Sequence, residues 1–161
     1  MRLRLLITTL LPLAFTACLS GTDPVTVPNI PIEETTFAST LNVNLAASTK
    51  TASGLYYRDL TVGTGTTALN NSTVSVYYTG YRTDGSVFDP GVASPSNPYG
   101  PIALATANLI PGFIEGIVGM KVGGTRQLII PPSLGYGEGG FPGVIASNAV
   151  LVFTVQLASV Q

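Results

Sequence analysis

The segments Thr73-Val74-Ser75-Val76-Tyr77-Tyr78-Thr79-Gly80 and Asp84-Gly85-Ser86-Val87-Phe88-Asp89 read together as an antiparallel hairpin. Val74, Val76 and Tyr78 share one parity of an extended run, and Thr73, Ser75, Tyr77 and Thr79 share the other. Successive side chains of a strand point to opposite faces, so one face is predicted to be buried and the other wet. Asp84-Gly85 is a preferred pair for a tight turn, which returns Val87-Phe88-Asp89 beside the first strand.

Outward from this hairpin, short strand-like runs alternate with Gly and Pro punctuation from Ser53 onward, the pattern of a mainly antiparallel sheet. Near the C-terminus, Leu151, Phe153, Val155 and Leu157 alternate with Val152, Thr154 and Gln156, so this strand should cross the core. The one helix candidate runs from Pro111 to about Gly119, with Pro suited to a first turn and Phe113 and Ile117 spaced to share a face. Its two internal glycines each lower helix propensity by about 1 kcal/mol relative to Ala, so it should survive only by packing on the sheet. Pro90 to Gly100 and Pro131 to Ser147 are long irregular segments, of a length that usually carries function.

Composition narrows the chemistry. The 161 residues include no His and a single Cys, which excludes a Ser-His-Asp triad, a Cys-His pair, an ordinary zinc site and an internal disulfide. Only 9% of residues are charged and the formal net charge is −1, so nothing neutralises a run of phosphates and nucleic acid is not an expected partner. Gly63-Thr64-Gly65-Thr66-Thr67-Ala68 fits a dinucleotide fingerprint only superficially: a strand, not a helix, follows it, and it reads as a turn.

At the N-terminus, Arg2 and Arg4 precede an apolar run from Leu5 to Phe15, the layout of a secretory signal over residues 1–17. The run is shorter than the roughly 20 residues a bilayer span needs. Phe15-Thr16-Ala17-Cys18 resembles a bacterial lipobox, with Phe15 where Leu is usual, which would make Cys18 the lipidated residue. Two acyl chains anchor a protein stably where one is marginal. The alternatives are a plain secreted or periplasmic protein in which Cys18 lies inside or just beyond the discarded leader, and an uncleaved anchor. Residues 18–52, rich in Thr, Asn, Ser and Pro without sustained periodicity, are expected to be a flexible tether, with 53–161 as the folded domain.

The ordered phrases Val76-Tyr77-Tyr78-Thr79-Gly80, Asp84 to Asp89, Leu109-Ile110-Pro111-Gly112-Phe113-Ile114-Glu115-Gly116, Met120-Lys121-Val122-Gly123-Gly124, Ile130-Pro131-Pro132-Ser133-Leu134-Gly135-Tyr136-Gly137 and Leu151-Val152-Phe153-Thr154-Val155 together resemble the FKBP family of peptidyl-prolyl isomerases. Ser53-Gly54-Leu55-Tyr56-Tyr57 and Gly63-Thr64-Gly65 resemble that family's opening strand and turn. The resemblance implies an α+β fold in which a twisted five-stranded antiparallel sheet wraps around one short helix. It also implies a pocket built from Tyr78, Phe88, Asp89, Ile110 and Tyr136 as catalytic residues and from Leu109, Phe113, Phe141, Ile145 and Phe153 as substrate-binding ones. Ile102 or Leu104 would contribute from the strand before the helix. Phe113 stands where the family often has Trp, and Phe141 where it often has His.

Asp89 carries a further expectation, because a carboxylate directly after a buried Phe is costly to bury alone and should accept a hydrogen bond, with Tyr78 as donor. Prolyl isomerisation breaks no covalent bond, so no nucleophile or cofactor is called for. The expected partners are proline-containing exported polypeptides and, through Cys18, a membrane of the bacterial cell envelope, with the chain as a monomer. The rival reading is a non-catalytic module of the cell envelope that binds proline segments or acts as a chaperone.

Overall fold

The structure is a computed structural model, and it describes residues 28–91 and 97–161. The leader, Cys18 and the first part of the expected tether lie outside the described residues. Among the described residues, seven strands and one α-helix follow one another: β1 (Thr49–Lys50), β2 (Tyr56–Thr61), β3 (Thr73–Arg82), β4 (Val87–Asp89), β5 (Tyr99–Ala103), α1 (Pro111–Ile117), β6 (Thr125–Ile130) and β7 (Leu151–Val160). They form one open antiparallel sheet in the order β1-β2-β6-β7-β3-β4, with β5 also pairing β3. The expected five strands correspond to five positions in this sheet. β4 pairs with Gly80 and Tyr81 and β5 with Thr73 to Val76, so two short strands share one edge of β3, while the two-residue β1 merely extends the far edge.

The hairpin forms as expected, with Gly80 opposite Asp89 and Tyr81 opposite Val87. Val74 and Val76 are fully buried, and Thr73, Ser75, Tyr77 and Thr79 are half-buried. β7 lies centrally between β6 and β3, and Leu151, Phe153, Val155 and Leu157 enter the main core with Phe113 and Ile117 of α1. Burying a side chain of this size contributes about 1.5–3 kcal/mol, which is how a seven-residue helix containing two glycines holds its shape.

Those glycines have a packing reason. A Cβ on Gly112 would stand 2.6 Å from Ile130 Cγ2, and one on Gly116 would stand 2.5 Å from both Leu128 Cδ atoms. The helix therefore lies nearer to β6 than any residue with a side chain would allow at these two positions. Its C-terminal carbonyls are closed by Arg126, whose Nη1 donates to Gly116 O at 3.0 Å and to Val118 O at 3.2 Å. The same guanidinium donates to both oxygens of Asp59, at 2.7 and 3.1 Å, and lies over the Tyr57 ring.

The expectation of a flexible tether does not hold for residues 28–52. Ile32 and Leu41, carried on short 3-10 turns, are buried against Tyr56, Ile129, Val150 and Val152, on the sheet face opposite α1. Backbone groups join the packing: Gln127 Nε2 donates to Leu41 O at 2.7 Å, and the Ala38 N–H to Thr83 O at 2.8 Å. Apolar residues here are too irregularly spaced to show a period, yet Ile32, Phe37, Leu41 and Val43 suffice to cover the second face of a sheet. This cover is why Ile129 and Val152 are as deeply buried as their neighbours of opposite parity.

Candidate active site

The sheet and α1 bring four aromatic rings into one cluster. Tyr78 meets Phe113 edge-on at 5.3 Å, Phe113 meets Phe153 at 5.4 Å and Phe153 meets Phe88 at 5.5 Å. These near-perpendicular contacts put ring edges against ring faces, an arrangement worth about 0.5–1.5 kcal/mol per pair beyond burial. Gly80 makes room for it: a Cβ there would come within 2.8 Å of the Phe88 ring and 2.9 Å of the Phe153 ring.

Above the cluster opens a hollow of about 420 Å³, of the size that takes small ligands or a short peptide turn. Of the residues expected from sequence, Tyr78, Asp89, Leu109, Ile110, Phe113, Tyr136 and Phe153 line it. Three others do not. Phe88 stands behind Phe153 and supports it. Phe141 is 52% exposed and leans on Tyr136, their ring centres 5.9 Å apart. Ile145 turns into the core. The Phe141–Ile145 backbone bridge folds the loop back on itself.

Sequence reasoning also missed Tyr99, Asn108, Pro111 and Gly135 in the lining. Tyr99 takes the place expected of Ile102 or Leu104, which sink into the core. On β3, Val74 and Val76 face Ile102 and Tyr99 of β5, two residues against three. This one-residue bulge puts Tyr99 and Ile102 on the same face despite their odd separation, and Tyr99 reaches the Tyr78 ring at 5.6 Å. Regular alternation along β5 hides that; the Pro98-Tyr99-Gly100-Pro101 run, unsuited to a regular strand, was the available signal.

Polar groups are few and placed at the edge of the hollow. The Tyr78 hydroxyl donates to Asp89 Oδ2 at 3.0 Å, and the Gly91 N–H donates to Oδ1 at 2.9 Å. Burial, reinforced by the bond to Asp89, holds the Tyr78 phenol protonated well above its ordinary range, so it remains a donor at neutral and mildly alkaline pH. Ile110 has extended backbone before the first helical turn, where amide N–H groups have no partner within the helix. Tyr136 stands at the mouth, 38% exposed.

A larger hollow, about 650 Å³, lies between the N-terminal segment, the hairpin turn and residues 143–150. None of the four clustered rings lines it, and Arg82 and Asp84 at its edge are engaged with Val144 and Ser86. The smaller hollow is therefore the candidate active site, since apolar walls and oriented polar groups converge there.

A family model described as FKBP-type peptidyl-prolyl cis-trans isomerase matches residues 65–158. The chain is 40% identical over 109 residues to the FK506-binding protein of Neisseria meningitidis, an alignment that covers 66% of this chain and 96% of that one. It is 40% identical over 107 residues to FK506-binding protein 4 of Dictyostelium discoideum, covering 66% of this chain and 28% of the relative. The chain spans less than a third of the length of several curated relatives it matches. Among solved structures, FkpA from Escherichia coli matches with a TM-score of 0.63 and 36% identity, over 71% of this chain and 52% of that chain.

Proposed function

This chain belongs to the FKBP-type peptidyl-prolyl cis-trans isomerase family, and on that premise we propose that it accelerates X-Pro isomerisation in exported polypeptides. The observation that carries the proposal is the hollow walled by Tyr78, Phe113 and Phe153, with Asp89 fixed at its edge by Tyr78.

Rotation about a peptide bond meets a barrier of about 18–20 kcal/mol because resonance stiffens the C–N bond. In the planar amide, charge is displaced toward oxygen; in the rotated amide that separation is lost and the nitrogen lone pair is restored. Apolar walls around the proline ring therefore disfavour the planar form relative to the rotated one, compared with water. The Ile110 N–H binds a substrate carbonyl, the Tyr136 hydroxyl holds the peptide at the mouth, and Asp89 orients its polar neighbours. Lowering the barrier by about 5.5 kcal/mol turns exchange in tens of seconds into exchange in milliseconds.

The leader pattern and the lipobox-like Phe15-Thr16-Ala17-Cys18 support an extracytoplasmic place in a bacterial envelope, with Cys18 as the lipid-bearing residue. Isomer exchange in an Ala-Leu-Pro-Phe peptide, together with a proline-limited refolding assay, tests the activity. Peptide binding without faster exchange would replace the enzyme by a proline-binding module.

A further inference from the structure

Arg82, the last residue of β3, stands outside the aromatic hollow but ties the β3–β4 hairpin to the loop that borders it. Its Nε and Nη2 both donate to the Val144 carbonyl, at 3.1 and 2.6 Å, and Nη1 donates to Ser86 Oγ at 3.1 Å. The hairpin that carries this fork is itself braced. Asp84 Oδ1 accepts from both the N–H and the hydroxyl of Ser86, and Ala38 of the N-terminal segment donates to Thr83 O. A planar guanidinium can address one carbonyl with two N–H groups and a hydroxyl with a third, which a Lys ammonium matches poorly.

The far end of this tie leads back to the hollow. The Val144 N–H donates to Phe141 O at 2.9 Å, and Phe141 and Ile145 exchange two backbone bonds of 2.8 Å. The Phe141 ring lies on Tyr136, which lines the hollow. Gly140 and Gly143 within this loop have φ of 60° and 75°, and glycine has the most backbone freedom to lose when a segment is ordered. The same loop exposes Phe141 and Val144, two apolar side chains.

We infer that Arg82 is a positioning residue, which by gripping Val144 presets the loop so that Phe141, Val144 and Tyr136 meet the residues next to a bound proline. The inference rests on the isomerase reading of the hollow. Ordering the loop before the client arrives lowers the cost of binding. Its effect therefore falls on KM and on the choice among flanking residues, and leaves the rotation step inside the hollow alone.

The test uses the full chain and its Arg82→Met, Arg82→Lys and Ser86→Ala variants, assayed on peptides with Ala, Leu or Phe before proline. Arg82→Met should raise KM for the Leu and Phe peptides about three- to tenfold while kcat stays within about twofold, the size expected when ordering of one or two side chains is moved to the binding step. Arg82→Lys and Ser86→Ala should show the same change to a smaller degree, and amide exchange at Ile145 should quicken in Arg82→Met. An unchanged KM and an unchanged spread among the peptides, from an active parent, would overturn the role given to Arg82. So would a fall of kcat on all three peptides that follows a lowered unfolding midpoint, the mark of a purely structural residue. A parent that accelerates exchange in none of the peptides overturns the isomerase reading itself, and this inference with it.

Discussion

The Tyr78 hydroxyl and the Asp89 carboxylate, eleven residues apart in the chain, meet at 3.0 Å across the β3–β4 hairpin. Gly80, opposite Asp89 in the ladder, keeps the ladder closed behind them and leaves room for the Phe88 and Phe153 rings. The bond gives the half-buried phenol a partner and leaves the carboxylate with a fixed direction at the edge of an apolar hollow.

Asp89→Ala should lower kcat/KM for a proline peptide about tenfold, equivalent to ~1.4 kcal/mol, the scale of a hydrogen bond to a charged group. Stability should fall by no more than about 1–2 kcal/mol, because the change strands one phenol and one amide N–H near solvent. Exchange kinetics on a short peptide and urea unfolding measure the two effects separately. Parental activity in the variant would remove this pair from the site.

Gly116→Ala sets two effects against each other. Helix propensity favours Ala by about 1 kcal/mol, whereas forcing a methyl into a packed core costs about 1–3 kcal/mol. With 2.5 Å to both Leu128 Cδ atoms, the second effect wins, and the variant should be less stable by about 1 kcal/mol or more. Activity should fall with it as α1 shifts Phe113. A stabilised variant would show that the helix stands further from β6 than described.

Ile32→Ala separates a tether from a structural layer. A residue in a solvated spacer can be truncated at almost no cost, but Ile32 is only 4% exposed, against the outer face of the sheet. The expected loss is about 2–4 kcal/mol, that of a core Ile→Ala change. An unfolding midpoint equal to the parent's would return residues 28–52 to the status of a linker.

Acid should loosen the same layer. Lys50 and the Tyr56 hydroxyl both donate to Glu33 and hold its carboxyl down at about 2, with Lys50 the larger cause. A carboxyl whose folded pKa lies below its ordinary value contributes stability that is present above about pH 4.5 and is lost as pH falls toward 2. Protection of the Ala38 and Leu41 amides, taken as exchange relative to the intrinsic rate at each pH from 6 to 2, should fall across that window. Glu33→Gln should abolish the step, and high salt should weaken it because the pair is exposed. A step that survives in Glu33→Gln would assign the acid response elsewhere.

Short-range physics was legible without coordinates. The parity of Val74, Val76 and Tyr78, the Asp84-Gly85 turn and Pro111 at a helix start each depend on residues a few positions apart, and each appears where expected. The Tyr78–Asp89 bond was foreseeable from the cost of leaving a carboxylate beside a buried Phe without a donor. Resemblance of phrase to phrase extended this to Leu109, Ile110, Phe113, Tyr136 and Phe153, which sit on regular elements or beside them.

Local pattern determines which way a side chain faces, and only the assembled chain decides what stands opposite. Alternation along β7 puts Val152 on the face opposite Leu151 and Phe153, and that face is dry because Ile32 and Leu41 return to cover it, and Ile129 beside it, from a hundred or so residues away. Tyr99 enters the hollow through a bulge defined jointly by β3 and β5. Phe141 stands outside the hollow and Ile145 in the core, on a loop held by its own backbone bonds and by Arg82 at Val144. Burial, register slips and loop paths are properties of pairs distant in sequence, and no window along the chain contains both members.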